Sequence, residues 1–157
     1  MRVVKPFDEF LHQGIAKRMS VDKERAQSLI RESERKRIAL KERLEKIGIS
    51  ADNANDYVES CYDSIMMIIR SKLYLDGYAC SGQGAHEAEV SYTRNLGLTE
   101  NEVLFLDEMR YFRNGMLYYG TLLEKEYAER VISLSNKFYP RLKQAITETF
   151  ITHRNHR

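Results

Sequence analysis

The positions of glycine and proline constrain the fold of this chain more than any other sequence feature. The two prolines, Pro6 and Pro140, lie near the ends, and the eight glycines stand between long stretches that lack helix breakers. Glycine is favoured just after the end of a helix, so long periodic segments separated by single glycines are typical of helical proteins. At 157 residues, 43% of them apolar, the chain is long enough for one domain with its own core. The sequence therefore predicts an all-α antiparallel helical bundle.

Apolar residues spaced by three and four positions, together with capping residues, predict six helices. We expect them at residues 6–18, at 20–46, from a cap at Asp52 or Asn53 to about 76, at 85–95, from Thr99 onward, and from after Gly120 to at least 137. Ser20 is expected to cap the second helix, and Thr99 with Glu102 to form a capping box at the start of the fifth. The third helix contains an apolar run at residues 65–69 and should be the most buried.

Breakers and polar residues mark the exceptions to this regular pattern. Pro140 cannot donate a helix hydrogen bond, so the chain beyond it is expected to continue as a kinked or separate helix. Residues 77–84 are predicted to form a loop, and no segment shows the pattern of a strand. Ser33 and Arg37 occupy positions in the second helix where the periodicity calls for apolar residues. We expect residues 1–50 to pack on or extend a bundle formed by residues 51–150, with a frayed tail at 151–157.

Charge is distributed unevenly, although the net charge is only +2. The net charge is +5 for residues 1–50, −6 for 51–102 and +3 for 103–157. An acidic middle between basic ends suits self-association or contact between oppositely charged faces of the same molecule. So small a net charge does not by itself imply a nucleic-acid or membrane partner. The basic residues 35–37 could contact phosphate, but a solvated face with pairs inside the helix is favoured.

Cysteine and histidine spacing indicates neither a disulfide framework nor a metal site. Cys61 and Cys80 are isolated from each other, and Cys61 falls in an apolar run that predicts a core position, so we expect a cytoplasmic protein. His153 and His156 could share a metal, but no third ligand lies nearby, and no metal or other cofactor is predicted. The longest apolar run is far too short for a bilayer, so no membrane partner is expected.

The segment at residues 109–120 carries the strongest candidate site. If the helix continues through Gly115, one face presents Arg110, Arg113, Asn114, Leu117 and Tyr118. Arginine binds phosphate oxygens with two parallel hydrogen bonds and tyrosine stacks on bases, so this set suits a nucleotide or an RNA strand. Gly115 and Gly120 are expected to loosen the helix and let Tyr118 swing toward Arg113. The alternative is that carboxylates of the acidic middle satisfy the arginines and that the tyrosines belong to the core.

This segment resembles the HEPN family (higher eukaryotes and prokaryotes nucleotide-binding) of small α-helical domains. The resemblance rests on Arg113-Asn114-x-x-x-Tyr118-Tyr119-Gly120 near the end of a helix, preceded by a loop and a short helix that contain Gly84-Ala85-His86, and it covers residues 53–139. It implies a compact bundle that dimerises across an arginine-lined cleft, with residues 1–50 as an additional N-terminal helical region. Many members look like ribonucleases or toxins paired with a minimal nucleotidyltransferase, and others look like noncatalytic binding domains.

The chain departs from the ribonuclease pattern of that family. Such members carry histidine with four to six residues between it and the arginine, whereas Tyr118, Tyr119 and Gly120 occupy those positions after Arg113. Tyrosine, with an ordinary pKa near 10, is a poor base at neutral pH, so efficient cleavage is not expected. His86 is the remaining candidate for an acid, a base or a phosphate donor, although a local packing role is favoured.

Three hypotheses follow from the sequence. The leading one is a HEPN-like homodimer that binds nucleotide or RNA phosphate through Arg110, Arg113, Asn114, Tyr118 and Tyr119. It would act either as a degenerate enzyme or as the partner of a nucleotidyltransferase in a toxin–antitoxin-like pair. The second is a metal-independent ribonuclease that uses Arg113 and Asn114 with Tyr118 or His86. The third is a noncatalytic oligomerisation module in which a carboxylate such as Asp107 or Glu108 locks Arg113.

Overall fold

A computed structural model describes residues 3–155 of the chain, and these residues form an all-α helical bundle with one very small sheet. The elements in chain order are α1 Phe7–His12, β1 Ala16–Arg18, α2 Lys23–Lys46, α3 Ala54–Asp76, β2 Tyr78–Cys80, α4 Ala85–Ser91, a 3-10 helix Tyr92–Leu96, α5 Glu100–Tyr119 and α6 Lys125–Asn155. The predicted fold class is confirmed. Within these described residues, no helix is both long and apolar enough to cross a membrane.

Helix α3 forms the centre of the bundle. It packs against α2 on one side and α6 on another, and it also contacts α5. Ile65, Ile68 and Ile69 are fully buried on it, as is Cys61, which confirms the predicted core position of that cysteine. Burial of one such aliphatic side chain stabilises a fold by about 1.5–3 kcal/mol, so an apolar helix between two amphipathic ones is a stable arrangement.

The two polar residues in the apolar stripe of α2 connect that helix to α6. The Ser33 hydroxyl donates to the Ser64 carbonyl at 2.6 Å and shares a 3.0 Å hydrogen bond with the Tyr139 hydroxyl. Arg37 donates to the Ser135 hydroxyl at 2.6 Å and lies over the Tyr139 ring. These contacts satisfy polar groups at buried positions, and they show that Arg37 of the basic residues 35–37 serves the packing of the bundle.

A two-stranded antiparallel sheet corrects the prediction that the chain has no strand. Ala16 pairs with Cys80 and Arg18 with Tyr78, so the predicted first helix ends at His12 and the predicted loop at 77–84 contains β2. Strands of three residues leave no periodic signal, and this pair forms because Gly77 turns the chain back at the end of α3. Gly77 has φ +83°, and a Cβ atom there would lie 2.9 Å from the Met19 carbonyl oxygen.

The sheet also explains why two helix boundaries differ from those predicted. The Met19 amide donates to the Gly77 carbonyl at 2.8 Å, which keeps the chain extended past Ser20. Helix α2 therefore begins at Lys23, and Asp22 caps it by accepting from the Arg25 amide at 3.0 Å. The predicted helix at 85–95 divides into α4 and a 3-10 helix, which ends at Gly97 as expected.

The last two helices continue through Gly115 and Pro140, the two residues that were expected to loosen or interrupt them. The Thr99–Glu102 capping box is present, and α5 continues through Gly115 to its end at Gly120. Helix α6 runs through Pro140 as one helix because Phe138 and Leu142, on either side, are buried in the core and hold the segment in place. It extends to Asn155, within the predicted tail, and His156 lies outside the described residues.

Candidate functional site

Three helices bring the charged residues of the candidate site together around one phenol ring. We call this group the Arg113 cluster and define it as Tyr62 and Asp63 of α3, His86 of α4, and Arg110 and Arg113 of α5. Helix α4 starts after Gly84, and His86 therefore lies in its first turn. The structure thus brings His86 and Arg113, which the sequence singled out separately, to the same place.

Arg113 lies between an acidic and an aromatic residue of α3. Its Nη2 atom is 3.4 Å from Oδ1 of Asp63, and its guanidinium carbon lies 5.5 Å from the centroid of the Tyr62 ring. Its Nε atom is buried and has no hydrogen-bond partner among residues 3–155. The carboxylate paired with Arg113 is therefore Asp63, which belongs to the acidic middle of the chain as the alternative expected, whereas the expectation that it would be Asp107 or Glu108 is wrong.

Arg110 is buried one turn earlier on α5. Its Nε–H donates to Oδ1 of Asp107 at 2.7 Å. The Nη2 atom of Arg110 is also buried, and in the described part of the chain nothing accepts its hydrogen bonds. Two buried guanidinium nitrogens on adjacent turns thus have no acceptor among residues 3–155, and a buried donor that lacks any acceptor generally costs about 1–3 kcal/mol or more.

His86 and Tyr62 share a hydrogen bond of 3.2 Å between Nδ1 and the hydroxyl oxygen. Burial, together with the positive charges of Arg70, Arg113 and Arg110, lowers the pKa of His86 below its usual value, so the imidazole is neutral at pH 7. Burial, reinforced by the negative charge of Glu89, raises the pKa of Tyr62, which stays protonated. Where the Tyr62 hydroxyl donates to Nδ1, the imidazole proton lies on Nε2, which can donate to a ligand.

A second ion pair lies beside the cluster and helps to set its charge. Arg70 Nε donates to Glu89 at 2.9 Å, and the Glu89 side chain is almost fully buried. Burial raises the pKa of Glu89, and Arg70 opposes that rise. The three arginines of this region therefore face three carboxylates, those of Asp63, Glu89 and Asp107. An anion that enters must compete with a carboxylate, and Asp63 has the longest of the three contacts.

The tyrosines near the end of α5 are not part of this cluster. Helix α5 is regular through Gly115, so Tyr118 stays about 140° around the helix from Arg113 at 100° per residue. Tyr118 and Tyr119 are 76% and 86% exposed, and Asn114 is half-buried. The expectation that glycine would let Tyr118 swing toward Arg113 is therefore wrong, and so is the alternative that these tyrosines lie in the core.

Sequence analysis did not identify Tyr62 and Asp63, which complete the cluster. Tyr62 follows the helical periodicity of α3 and reads as an ordinary core residue. Asp63 offered a signal, because it is a carboxylate within an otherwise apolar stretch, and such residues are seldom buried unless they are paired. In the described chain, no three His, Cys, Asp or Glu side chains are grouped as a metal site.

Five large apolar side chains are exposed along the second half of α5 and in the turn after it. We call this the α5 patch, and its members are Tyr111, Leu117, Tyr118, Tyr119 and Leu122. All five are more than half exposed. Where such side chains form one contiguous surface, that surface often marks a site of interaction with another molecule.

Comparison with known proteins adds no assignment to this geometry. No protein-family model, curated protein or solved structure matches the chain. The resemblance of the Arg113–Asn114 segment to the HEPN family therefore stays a prediction. The functional interpretation rests on the Arg113 cluster and on the surfaces around it.

Proposed function

We propose that the Arg113 cluster binds the phosphate group of a nucleotide or of an RNA strand, as the resemblance to HEPN domains implies. The observation that carries this proposal is the pair of buried guanidinium nitrogens, Nη2 of Arg110 and Nε of Arg113, that lack acceptors among residues 3–155. A phosphate offers several acceptor oxygens and a full negative charge. It can satisfy both arginines, whereas each carboxylate present contacts one of them.

Binding requires Arg113 to exchange one partner for another. Asp63 contacts Nη2 from one side at 3.4 Å, longer than a normal hydrogen bond, and the Arg113 side chain is about one-fifth exposed. A small movement of this guanidinium away from Asp63 would turn it toward an incoming phosphate. The Nε2–H of neutral His86 supplies a further donor, and the Tyr62 ring stays beneath the guanidinium during the exchange.

A titration with two probes tests this proposal. ATP and a short single-stranded RNA are titrated at low salt into the wild type and into Arg113→Met, which removes the charge but keeps most of the side-chain volume. Arg43→Met is the matched control, since Arg43 lies over the ring of Tyr57 and contacts Asp56, both on α3, much as Arg113 contacts Tyr62 and Asp63. We expect Arg113→Met to weaken binding about tenfold or more and Arg43→Met to leave it unchanged. Equal behaviour of the two variants would refute the proposal.

Metal-independent RNA cleavage is a second candidate function. The position of His86 beside Arg113 favours His86 over Tyr118 as the catalytic base. In the tautomer in which Nδ1–H donates to the Tyr62 hydroxyl, neutral His86 has a free Nε2, which can take the proton from a ribose 2′-hydroxyl as Arg113 holds the phosphate. Incubation with single-stranded RNA in the presence of a chelator tests this idea. We expect any cleavage to be lost in His86→Gln and kept in Tyr118→Phe, and the reverse result would exclude His86.

The quaternary part of the proposal rests on the α5 patch. We infer that two copies of the chain associate through this patch, which would cover Tyr118 and Tyr119, and that the assembly works in the cytoplasm, since both cysteines are free. A minimal nucleotidyltransferase is the protein partner that the HEPN resemblance implies. Replacement of both tyrosines by serine should convert a dimer to a monomer in analytical ultracentrifugation, and an unchanged mass would contradict this interface.

The third hypothesis, a noncatalytic oligomerisation module, has its own support. Arg110 and Arg113 both pair with carboxylates, and Arg110 is almost fully buried. If ATP and RNA fail to bind and the tyrosine variants still dissociate the dimer, the module is the function that remains. The same two experiments thus separate the alternatives.

A further inference from the structure

A groove lies between the first half of α2 and the last turns of α6, and none of its described lining residues belongs to the Arg113 cluster. We call it the α2–α6 groove. Its wide part has a volume of about 640 Å³ and is lined mainly by Lys23, Ile30, Arg31, Phe150, Ile151 and Arg154. The two helices are linked near their middles through Ser33 and Tyr139, and the wide part of the groove lies beyond that link.

The groove continues inward along an apolar floor. A narrower cavity of about 200 Å³ follows the wide part, and Ile68 of α3 and Ile146 of α6 line it together with Ile30 and Phe150. The ion pair between Lys143 and Glu34, at 2.5 Å, stands beside this inner part. From Lys23 to Glu34, α2 rises about 16 Å, which is three helical turns. Ile68 and Ile146 are almost fully buried at the inner end, whereas the apolar side chains Ile30, Phe150 and Ile151 of the wide part are at least partly exposed.

The rim of the wide part is positively charged. Lys23 and Arg31 of α2 face Arg154 of α6 across it, and no described carboxylate lines this part of the groove. None of the three cations forms an ion pair within residues 3–155. A cleft lined by cations attracts an anionic ligand, because its low-dielectric walls focus the electric field of those cations.

We propose that the α2–α6 groove binds an acidic amphipathic helix of a partner protein. The apolar side of that helix packs on Ile30, Phe150 and Ile151, and its carboxylates pair with the three cations of the rim. A helix of about three turns matches the length of the groove, and apolar anchors at i, i+3, i+4 and i+7 match the floor. Two neighbouring helices offer ridges and grooves into which a further helix can pack.

The floor favours a peptide over a nucleic acid. Single-stranded nucleic acids bind through rings on which successive bases stack. Phe150 is the one aromatic side chain on the floor, and it is already partly packed against the core. Aliphatic side chains form the rest, and they suit leucine or isoleucine from a helix.

A designed peptide tests the proposal. The probe is a fluorescent 14-residue helix with leucines at i, i+3, i+4 and i+7 and glutamates at most other positions, and its control carries lysines in place of the glutamates. The protein variants are the double variant Arg31→Glu/Arg154→Glu and the matched control Lys41→Glu/Lys137→Glu, which makes the same charge change at exposed sites on the same two helices. Ile151→Asp, at a half-exposed position, tests the apolar contact.

We expect the acidic peptide to bind the wild type with a dissociation constant below about 1 mM, and Arg31→Glu/Arg154→Glu and Ile151→Asp each to weaken it at least tenfold. Lys41→Glu/Lys137→Glu and Arg113→Met should change the affinity less than twofold, and the lysine peptide should not bind. Absence of acidic-peptide binding, or equal loss in both double variants, would overturn the proposal. Loss of RNA binding in Arg31→Glu/Arg154→Glu with peptide binding intact would show a nucleic-acid site instead. Circular dichroism confirms that each variant is folded.

Discussion

Replacement of Asp63 by asparagine should strengthen phosphate binding at the Arg113 cluster. Asp63 is the carboxylate that contacts Arg113, and its charge repels any anion that approaches the same guanidinium. Asparagine has nearly the same shape and keeps an oxygen that can accept a hydrogen bond, but it carries no charge. If the cluster is a phosphate site, the aspartate is a competitor; if the cluster serves only packing, its charge has no bearing on ligands.

The distances set the size of the expected effect. Oδ1 of Asp63 lies 3.4 Å from Nη2 of Arg113. A phosphate oxygen at the far edge of the guanidinium would lie about 6 Å from the carboxylate, where two unit charges repel by about 0.7 kcal/mol in water and about 3 kcal/mol at an effective dielectric constant of about 20. The Asp63 side chain is 25% exposed, so the lower part of this range applies. We expect a gain of about 1 kcal/mol, or about fivefold in affinity.

Titration of ATP and of a short single-stranded RNA at low salt measures the change. Asp56→Asn is the control, because Asp56 lies on the same helix and pairs with Arg43, at a more exposed position. The gain for Asp63→Asn should shrink as salt is added, since salt screens the repulsion. Affinities that rise equally in the two variants would show an effect of net charge. An unchanged affinity in Asp63→Asn would refute the assignment of the phosphate to Arg113.

Two further predictions concern stability. Gly97→Ala, at φ +84° with open space around it, should lower the free energy of unfolding by about 1 kcal/mol, whereas Gly77→Ala, at φ +83° and with its Cβ 2.9 Å from the Met19 carbonyl oxygen, should lower it by a further 1 kcal/mol or so. Equal urea midpoints and slopes for the two variants would contradict that contact. Because the pKa of His86 is lowered in the folded state, the unfolded chain takes up its proton first, and stability should fall as the pH drops below 6.5. Urea titrations at several pH values below 6.5 should show that the free energy of unfolding depends less on pH in His86→Gln than in the wild type. The same dependence on pH in both proteins would show that His86 is not the group responsible.

Local interactions made much of the fold predictable. The Thr99–Glu102 capping box joins residues three apart, and the ends of helices at Gly77, Gly97 and Gly120 depend on the freedom of glycine at positive φ. Such features act within one or two turns, so they are legible in a sequence without knowledge of the neighbours. The burial of α3 was equally legible, because a helix that is apolar all round must be covered on several sides.

Long-range contacts decided what the sequence pattern could not. The pairing of β1 with β2 joins the segment before α2 to the segment after α3. Because of this pairing, α2 starts at Lys23 and not near Ser20 as predicted. The same limit applies to Pro140, which breaks an isolated helix but is held within α6 by the buried residues on either side of it. Ser33 looked misplaced in an apolar stripe until the structure showed its hydrogen bonds to α3 and α6.

The candidate site divides in the same way. The sequence by itself determined which side chains could hold a phosphate, since Arg110, Arg113 and His86 are identified by residue type and by their place on predicted helices. Only the tertiary structure decided that Tyr62 and Asp63 complete the group and that Tyr118 points elsewhere. Residue chemistry and helical period are local properties. The partner of a charged group instead depends on which helices pack together, and the packing of the helices is set by burial of the apolar surface of the whole chain.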